Sequence, residues 1–588
     1  MDQTSNSFAK RLKPVIWCSL VAVFIIIARL FHLQIQNFSV FFSRGERNCL
    51  RIEKVYCHRG TILDCKGRPL ATNKPITDLY WQGTGNKTFN ANQDHLCKEL
   101  QKFFNKNEEE MQALQDAERT GRRILIASDI SYEILCFLIE QYPSDKNIYF
   151  TTNFKRSYPH NAVASHILGY LAHENNGQMG LEKIYEEELR GTPGELRHFI
   201  NARGIQLAEE ETKKAQRGSN LTTTIDLDLQ EIAEEVFPPE TSGVMLVMNP
   251  RNGALRVVVS RPAFDPNIFI NPLDQDQWED FQNARQPFLN RAFNAVYPPA
   301  SLFKLVTISA ALETNLVKPD DVWFCPGYYL FAGTRRYCHL HSGHGRITTM
   351  QAVAKSCNIP FYDIGRRIKI DTLAEYAHRF GLGMPTNGAF PERAGLIPTT
   401  SWKRKYKSEP WWPGETLSAA IGQSFTLVTP VQIVRMISAI GEGYLVRPCI
   451  IEREANNQEH AEKETLQISP KTRSFLLESM RNVVAQGTGQ RLARFTNMEI
   501  YGKTGTAQTC SLEKNILGGR YKDHAWFVTY IKYRDYQPMV LLILLENSGL
   551  STCATHVAQQ FLERYCKLAD KPIHKKNSSE QSPLPADK

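Results

Sequence analysis

Apolar positions fall along this chain in three patterns, and each predicts a different kind of element. Near the N-terminus they are almost continuous: Lys10, Arg11 and Lys13 precede an apolar run from Pro14 to Ala28, which resumes after Arg29 as Leu30-Phe31-His32-Leu33. About 20 mostly apolar residues suffice to cross a bilayer, and a basic flank predicts that its side stays cytoplasmic while everything after the run lies outside. A cleaved signal peptide and a buried helix are the competing readings. No A-x-A-like cleavage site follows the run, which favours an uncleaved anchor over residues 14–35 after a leader over residues 1–13. From 36 to about 235 the periodicity is mixed. Gln93 to Gln115 has helical spacing, Arg123 to Ala127 is strand-like, and Ser131 to Gln141 reads as a second helix, so this stretch is expected to be a non-catalytic pedestal. From Ser242 onward come runs suited to a buried sheet, at Val244 to Met248, Leu255 to Ser260, Trp526 to Ile531 and Met539 to Leu545. Helical segments beginning with Leu302 to Leu312 fill the interval. Strands at both ends with helices between them predict an α+β domain over 236–570 whose sheet joins segments distant in sequence. Residues 571–588, rich in Lys, Ser, Pro and Asp, read as a solvated tail.

Composition narrows the class. With 588 residues, 42% hydrophobic and 22% charged, the chain can bury a large core and is neither a disordered chain nor a miniature scaffold. Lys and Arg number 70 against 61 Asp and Glu, a surplus of +9 spread thinly. That suits an anionic surface or polymer nearby and gives no case for nucleic-acid binding. Thirteen cysteines are too few for a disulfide scaffold, and their odd number prevents complete pairing within the chain.

Candidate chemistry begins at Ser301, which follows Tyr297-Pro298-Pro299-Ala300 and opens an apolar helical run. It is expected in the first helical turn with Lys304 on the same face one turn on. A serine hydroxyl is a poor nucleophile at neutral pH unless a neighbouring amine, its pKa lowered by burial and nearby positive charge, takes its proton. S-x-x-K alone is weak: Ser7/Lys10 and Ser511/Lys514 also match, in the leader and in a polar loop. Two further pieces follow in order, Ser356-Cys357-Asn358 and Lys503-Thr504-Gly505-Thr506, the latter after a strand-like approach. Singly, such pieces are usually helix surface, loop and turn; their order and contexts match the S-x-x-K, S-D-N-type and K-T-G set of penicillin-interacting serine enzymes.

On these residues the chain resembles a class B penicillin-binding protein, from the anchor almost to the tail. Arg59-Gly60-Thr61-Ile62 with Asp64, Leu70-Ala71-Thr72-Asn73, Arg156-Ser157-Tyr158-Pro159 with His166 and Gly169, Gly180-Leu181-Glu182, Thr224-Ile225-Asp226 and His524-Ala525-Trp526-Phe527 carry the resemblance. Trp402-Lys403-Arg404, Trp411-Trp412-Pro413-Gly414-Glu415, Ile421-Gly422-Gln423 and Thr429-Pro430 resemble the elongation type more than the division type. Ser424 stands where the family usually has Gly. The resemblance implies a penicilloyl-serine transferase fold, an antiparallel sheet flanked by helices, behind an elongated α+β pedestal. It implies a peptidoglycan D,D-transpeptidase in which Ser301 attacks a D-Ala-D-Ala stem peptide and Lys304 is the general base. Ser356 would relay protons and Asn358 would hold the substrate amide and Lys304. Lys503 and Thr504 would bind the terminal carboxylate beside Gly505, and the N–H groups of Ser301 and Thr506 would form the oxyanion hole. It further implies β-lactam binding, a place in the inner membrane with the catalytic domain in the periplasm, and partners among SEDS-family membrane glycosyltransferases and cell-shape proteins. The acyl transfer needs no cofactor. A D,D-carboxypeptidase, with water as acceptor, and a non-catalytic β-lactam sensor or scaffold are the alternatives. The first usually lacks such a pedestal; the second has no need of an intact Lys304, Ser356, Asn358 and Lys503.

Cys325, Cys338, His344 and Cys357 form C-x12-C-x5-H-x12-C, a set able to close a tetrahedral zinc site. The spacing is not that of a zinc finger, His339 and His341 compete as ligands, and an exported Cys325 to Cys338 disulfide would be ordinary. Some elongation-type members carry zinc in this segment at similar spacings, so the resemblance favours a structural zinc. The other cysteines show no metal spacing.

Overall fold

A computed structural model describes residues 3–42, 50–55, 57–143, 145–172, 175–200, 206–270, 275–283, 285–388, 390–460, 463–509 and 522–570. The expected tail, the Ser511/Lys514 pair, Cys49 and Cys510 lie outside the described residues. The chain packs as two compact units. One comprises residues 1–59, 73–155 and 190–219; the other comprises 60–72, 156–189 and 220–588.

In the first unit, helix α1 (Gln3–Phe31) carries the apolar run, and the span Pro14–Gln36 has a mean hydropathy of 2.3 with its side chains exposed. Leu50–Val55, Gly194–Ile200 and Gln206–Lys213 form a three-stranded antiparallel sheet. The strand at Arg123–Ala127 and the helix at Tyr132–Gln141, capped by Ser131, match the sequence pattern. The single helix expected over Gln93 to Gln115 is instead two, Ala91–Phe104 and Glu108–Thr120. Asn105 takes a left-handed φ of 47° and ends the first, while a reciprocal cap between Asn107 and Glu110 starts the second. Apolar periodicity continued through the break and hid it; Asn105 and Asn107 were the visible signal.

The second unit is built on one five-stranded antiparallel sheet. Its strands are β1 (Gly243–Met248), β2 (Leu255–Arg261), β3 (Met498–Ala507), β4 (His524–Tyr533) and β5 (Met539–Leu545), in the order β2-β1-β5-β4-β3. β5 pairs with β1 through Leu542 opposite Leu246 and with β4 through Leu542 opposite Val528, so the last strand knits the first to the others. Side chains alternate between two faces with period two. Val540, Leu542 and Leu544 join one core, Leu541, Ile543 and Leu545 the other, and both faces are covered. That is why β5 reads as an unbroken apolar run and not as an alternation. Helices α2 (Leu227–Val236) and α6 (Thr552–Ala569) cover one face, with Val236, Val557, Phe561 and Leu562 buried. On the other lies the helix Pro430–Glu442, and the larger core on that side takes in Leu305, Val306 and Ile308 of α3 (Lys304–Glu313).

Several stretches that carry the family resemblance hold this unit together. Arg156 forms an ion pair of 2.7 Å with Glu182 while also donating to the Gly60 carbonyl at 2.8 Å, with both side chains essentially inaccessible. Removing one partner of such a pair strands a charge and costs about 3–5 kcal/mol. Lys403, buried in an otherwise largely exposed stretch, bonds Glu415 at 2.5 Å and lies against the Trp411 ring, which ties the two ends of Trp402 to Glu415 together. Segments 60–72 and 156–189, within the span read as pedestal, pack in this second unit.

Candidate active site

Ser301 lies in a single 3-10 turn, Ala300–Leu302, and Lys304 is the first residue of α3, so the serine precedes the α-helix instead of sitting in its first turn. Just before the serine, Ala300 takes a left-handed φ of 48°, uncommon for a non-glycine residue. The turn is held from outside. Ala300 N donates to the Gly422 carbonyl at 2.9 Å, Tyr297 and Val428 exchange two backbone bonds of 2.9 Å, and Trp526 Nε1 donates to the Pro298 carbonyl at 3.2 Å. Gly422 must be glycine: its φ is +71°, and an added Cβ would lie 2.2 Å from the Ala300 carbonyl oxygen. Ser356 (φ 53°) and Ser424 (φ 68°) are also left-handed, so three non-glycine residues around this point occupy costly backbone conformations, a clustering typical of functional sites.

Lys304 is fully buried and draws the triplet toward it. Its Nζ donates to the Ser356 carbonyl at 2.7 Å and to Asn358 Oδ1 at 2.7 Å, with longer contacts of 3.4 Å to Ser356 Oγ and the Cys357 carbonyl. Lys503, equally buried on β3, donates to Ser356 Oγ at 3.1 Å and to the Thr504 carbonyl at 3.0 Å. Ser356 therefore stands between two amines. Burial lowers the Lys304 pKa to about 8, against the opposing pull of Cys357 and Cys338. Lys503 is held well below its usual range, by burial first and by the charge of Lys304 second. Among the described residues Ser301 Oγ makes no hydrogen bond, to Lys304 or to any other group.

Thr504, Gly505 and Thr506 follow on β3, paired with Phe527, Trp526 and Ala525, and β3 is the sheet's edge strand. Thr504 Oγ1 meets Thr488 Oγ1 at 2.5 Å, and the Thr506 carbonyl accepts from Gln423 Nε2 at 3.4 Å. The sequence reading missed Thr488 and Tyr337. The Tyr337 carbonyl accepts from Asn358 Nδ2 at 3.2 Å and so fixes which way the Asn358 oxygen points. Thr488 lies in a Gly-Thr-Gly turn, a recognisable signal; Tyr337 acts through its backbone and left none.

The three cysteines and one histidine converge. The ligand atoms of Cys325, Cys338, His344 and Cys357 all lie within 4.8 Å of one another, and none of the three cysteines is in a disulfide. Cys325 and Cys338 Sγ are each 3.6 Å from His344 Nδ1, and Cys338 Sγ is 3.8 Å from Cys357 Sγ. A tetrahedral centre with bonds of about 2.3 Å to sulfur and 2.0–2.1 Å to nitrogen has S···S edges of about 3.8 Å and S···N edges of about 3.6 Å. The donor set fits such a metal. His339 stays on the rim, 3.8 Å from Cys338 Sγ. The Cys357 thiol holds Cys338 well below the ordinary thiol range, with help from His339 and the backbone N–H groups of Asn358 and Leu340.

Two family models match the chain: the penicillin binding protein transpeptidase domain over residues 243–566 and the penicillin-binding protein dimerisation domain over residues 54–223. The chain belongs to the penicillin-binding proteins. It is 30% identical to the peptidoglycan D,D-transpeptidase MrdA of Haemophilus influenzae, over 95% of this chain and 92% of that one. To MrdA of Escherichia coli it is 26% identical, over 96% and 95%. Its fold is similar to that of a penicillin-binding protein, PBP2, solved with MreC from Helicobacter pylori, with a TM-score of 0.74, 26% identity and coverage of 88% and 99%. It also matches a chain of a peptidoglycan synthase complex that coordinates polymerization and crosslinking, with a TM-score of 0.71, 27% identity and coverage of 94% and 98%. As this penicillin-binding protein carries both domains, it is of class B, and it is a transpeptidase enzyme of peptidoglycan.

Proposed function

We propose that this penicillin-binding protein cross-links stem peptides through an acyl-enzyme on Ser301. The observation that carries this reading is the buried line from Lys304 through Ser356 to Lys503, which joins the serine turn to the sheet edge. Ser301 Oγ attacks the carbonyl carbon of the penultimate D-Ala, and its proton passes to Lys304. The peptide bond breaks and the terminal D-Ala amine takes that proton by way of Ser356; an amine of a second stem then attacks the ester carbonyl, the Ser301 Oγ–acyl bond breaks, and the amine's proton passes through Lys304 back to Ser301 Oγ. Two ammonium ions cannot comfortably share this buried space. A substrate carboxylate at Lys503 and Thr504 favours the charged form of Lys503, and that charge in turn favours a neutral Lys304, the form a base needs. The N–H groups of Ser301 and Thr506 are assigned to the oxyanion.

The test is covalent labelling of the purified chain with a fluorescent penicillin. Wild type should label and Ser301→Ala should not; equal labelling would overturn the assignment. Mass spectrometry of products from defined stem peptides then separates cross-linking from trimming.

The Cys325, Cys338, His344 and Cys357 set is assigned to zinc. With four protein ligands and no open position the ion would be structural. It would hold the Ser356-Cys357-Asn358 loop. α1 is assigned as a single-pass anchor in the inner membrane with the catalytic domain in the periplasm, consistent with Lys10, Arg11 and Lys13 before the span. The relatives solved with MreC and within a peptidoglycan synthase complex support partners of those kinds, a cell-shape protein and a glycan-strand polymerase.

A further inference from the structure

We propose that Thr488 is a positioning residue, whose hydroxyl donates to Thr504 Oγ1 and so frees the Thr504 hydrogen for the carboxylate of the incoming ligand. The inference rests on the reading that Thr504 binds that carboxylate.

The two hydroxyl oxygens are 2.5 Å apart, and one hydrogen lies between them. Each hydroxyl has a single hydrogen to give. If Thr504 gives its own to Thr488, it presents a carboxylate with lone pairs alone. If Thr488 is the donor, the Thr504 hydrogen is left for the ligand, and donation from Thr488 polarises it further. A carboxylate has no hydrogen to offer, so its arrival selects the second arrangement.

Thr488 is placed to do this. Its N–H donates to the Ala354 carbonyl at 3.4 Å, at the end of α4 (Thr349–Ala354), which leads into Ser356. Before it, α5 (Pro470–Gln486) ends at Gly487, where an added Cβ would lie 2.3 Å from the Ala354 carbonyl oxygen. After it, Gly489 N donates to the Val483 carbonyl at 2.9 Å. The turn is therefore pinned on both sides. From Thr504 the line returns through Lys503, whose Nζ bonds the Thr504 carbonyl and Ser356 Oγ. Thr488 thus closes a ring that runs from the α4 end to β3 and back to Ser356.

The experiment uses the full chain in detergent and measures acylation by benzylpenicillin and by its methyl ester, which lacks the anionic carboxylate. Thr488→Val keeps shape and loses the hydroxyl; Thr488→Ser keeps the hydroxyl. Thr488→Val is expected to slow acylation by the acid about tenfold through a weaker initial complex, and to leave the slower reaction of the ester unchanged. Thr488→Ser should restore the acid rate to within about twofold, and Thr488→Val should add nothing to Thr504→Val. The proposal is overturned if Thr488→Val matches wild type, if it slows acid and ester alike, if serine does not rescue, or if the two losses multiply. Should Thr488→Val not fold, Thr488→Ala against Thr488→Ser decides on the same criteria. If Thr504→Val itself leaves the acid reaction intact, the carboxylate reading fails; if only Thr488→Val is silent, that reading stands and the positioning role falls.

Discussion

Lys304 Nζ and Asn358 Oδ1 are 2.7 Å apart, and the other end of the same amide donates to the Tyr337 carbonyl, so Asn358 clamps the buried amine from a fixed direction. Removing the clamp leaves Lys304 free to turn away from the serine turn. Asn358→Ala is expected to lower the second-order rate of acylation by a penicillin about a hundredfold, the cost of misplacing a reacting group by about 1 Å. Stopped-flow labelling checks this; a rate within threefold of wild type would show that Asn358 does not orient the base.

Stripping the metal should loosen the catalytic loop, because Cys357 lies between Ser356 and Asn358 and its sulfur is 3.8 Å from Cys338. Elemental analysis is expected to find about one zinc per chain. Cys325→Ser, a ligand far in sequence from the loop, should lose that zinc and melt at least about 5 °C lower. It should also acylate more slowly. No stoichiometric zinc in the wild type, together with a Cys325–Cys338 disulfide, would end the metal assignment.

Relief of backbone strain is testable at Ser424, which holds a left-handed φ of 68°. A left-handed conformation costs a non-glycine residue about 1–2 kcal/mol, and glycine's greater freedom in the unfolded chain returns about 0.5–1 kcal/mol of that. Ser424→Gly should therefore stabilise by roughly 0.5–1 kcal/mol, a rise of about 1 °C in calorimetry for a unit of this size. A lower melting temperature would mean that the serine side chain contributes more than the strain it imposes.

Acid sensitivity follows from His166, which burial holds down to about 4 even though its ring bonds the Pro287 carbonyl at 2.7 Å; Arg291 and Arg261 push the same way as burial. The folded chain keeps this histidine neutral while the unfolded chain protonates it near pH 6.5. Its contribution to stability is thus intact above pH 6.5 and is lost as pH falls from there toward 4, about 3 kcal/mol in all. His166→Gln keeps a hydrogen-bonding side chain that does not titrate. Between pH 7 and pH 5 the unfolding free energy from denaturant titration should fall less in that variant than in wild type, by about 2 kcal/mol; equal falls would show that His166 titrates normally.

How far the sequence could be read depended on the kind of signal. Met539–Leu545 and Gly243–Met248 were visible because a strand covered on both faces is apolar throughout, and Ser301, Lys304, Ser356, Asn358 and Lys503 because their chemistry restricts residue type at each position. The break at Asn105 was overridden by apolar periodicity that ran through it. The positive φ of Ala300 and the start of the α-helix at Lys304 left no mark in the residue types. Tyr337 contributes only a carbonyl oxygen, which every residue has. Arg156 and Glu182 could be recognised by resemblance, but that they form a buried ion pair depends on segments brought together by the fold.

The place of β5 in the sheet has a consequence for biosynthesis. Every group assigned to the chemistry is already present in a nascent chain that ends before Met539, yet in such a chain nothing joins β1 to β4. The platform beneath the serine turn can assemble only once the C-terminal part of the polypeptide has emerged, and pairing across so long an interval is slow. A prematurely terminated product would then carry a complete set of reactive side chains and no means of aligning them.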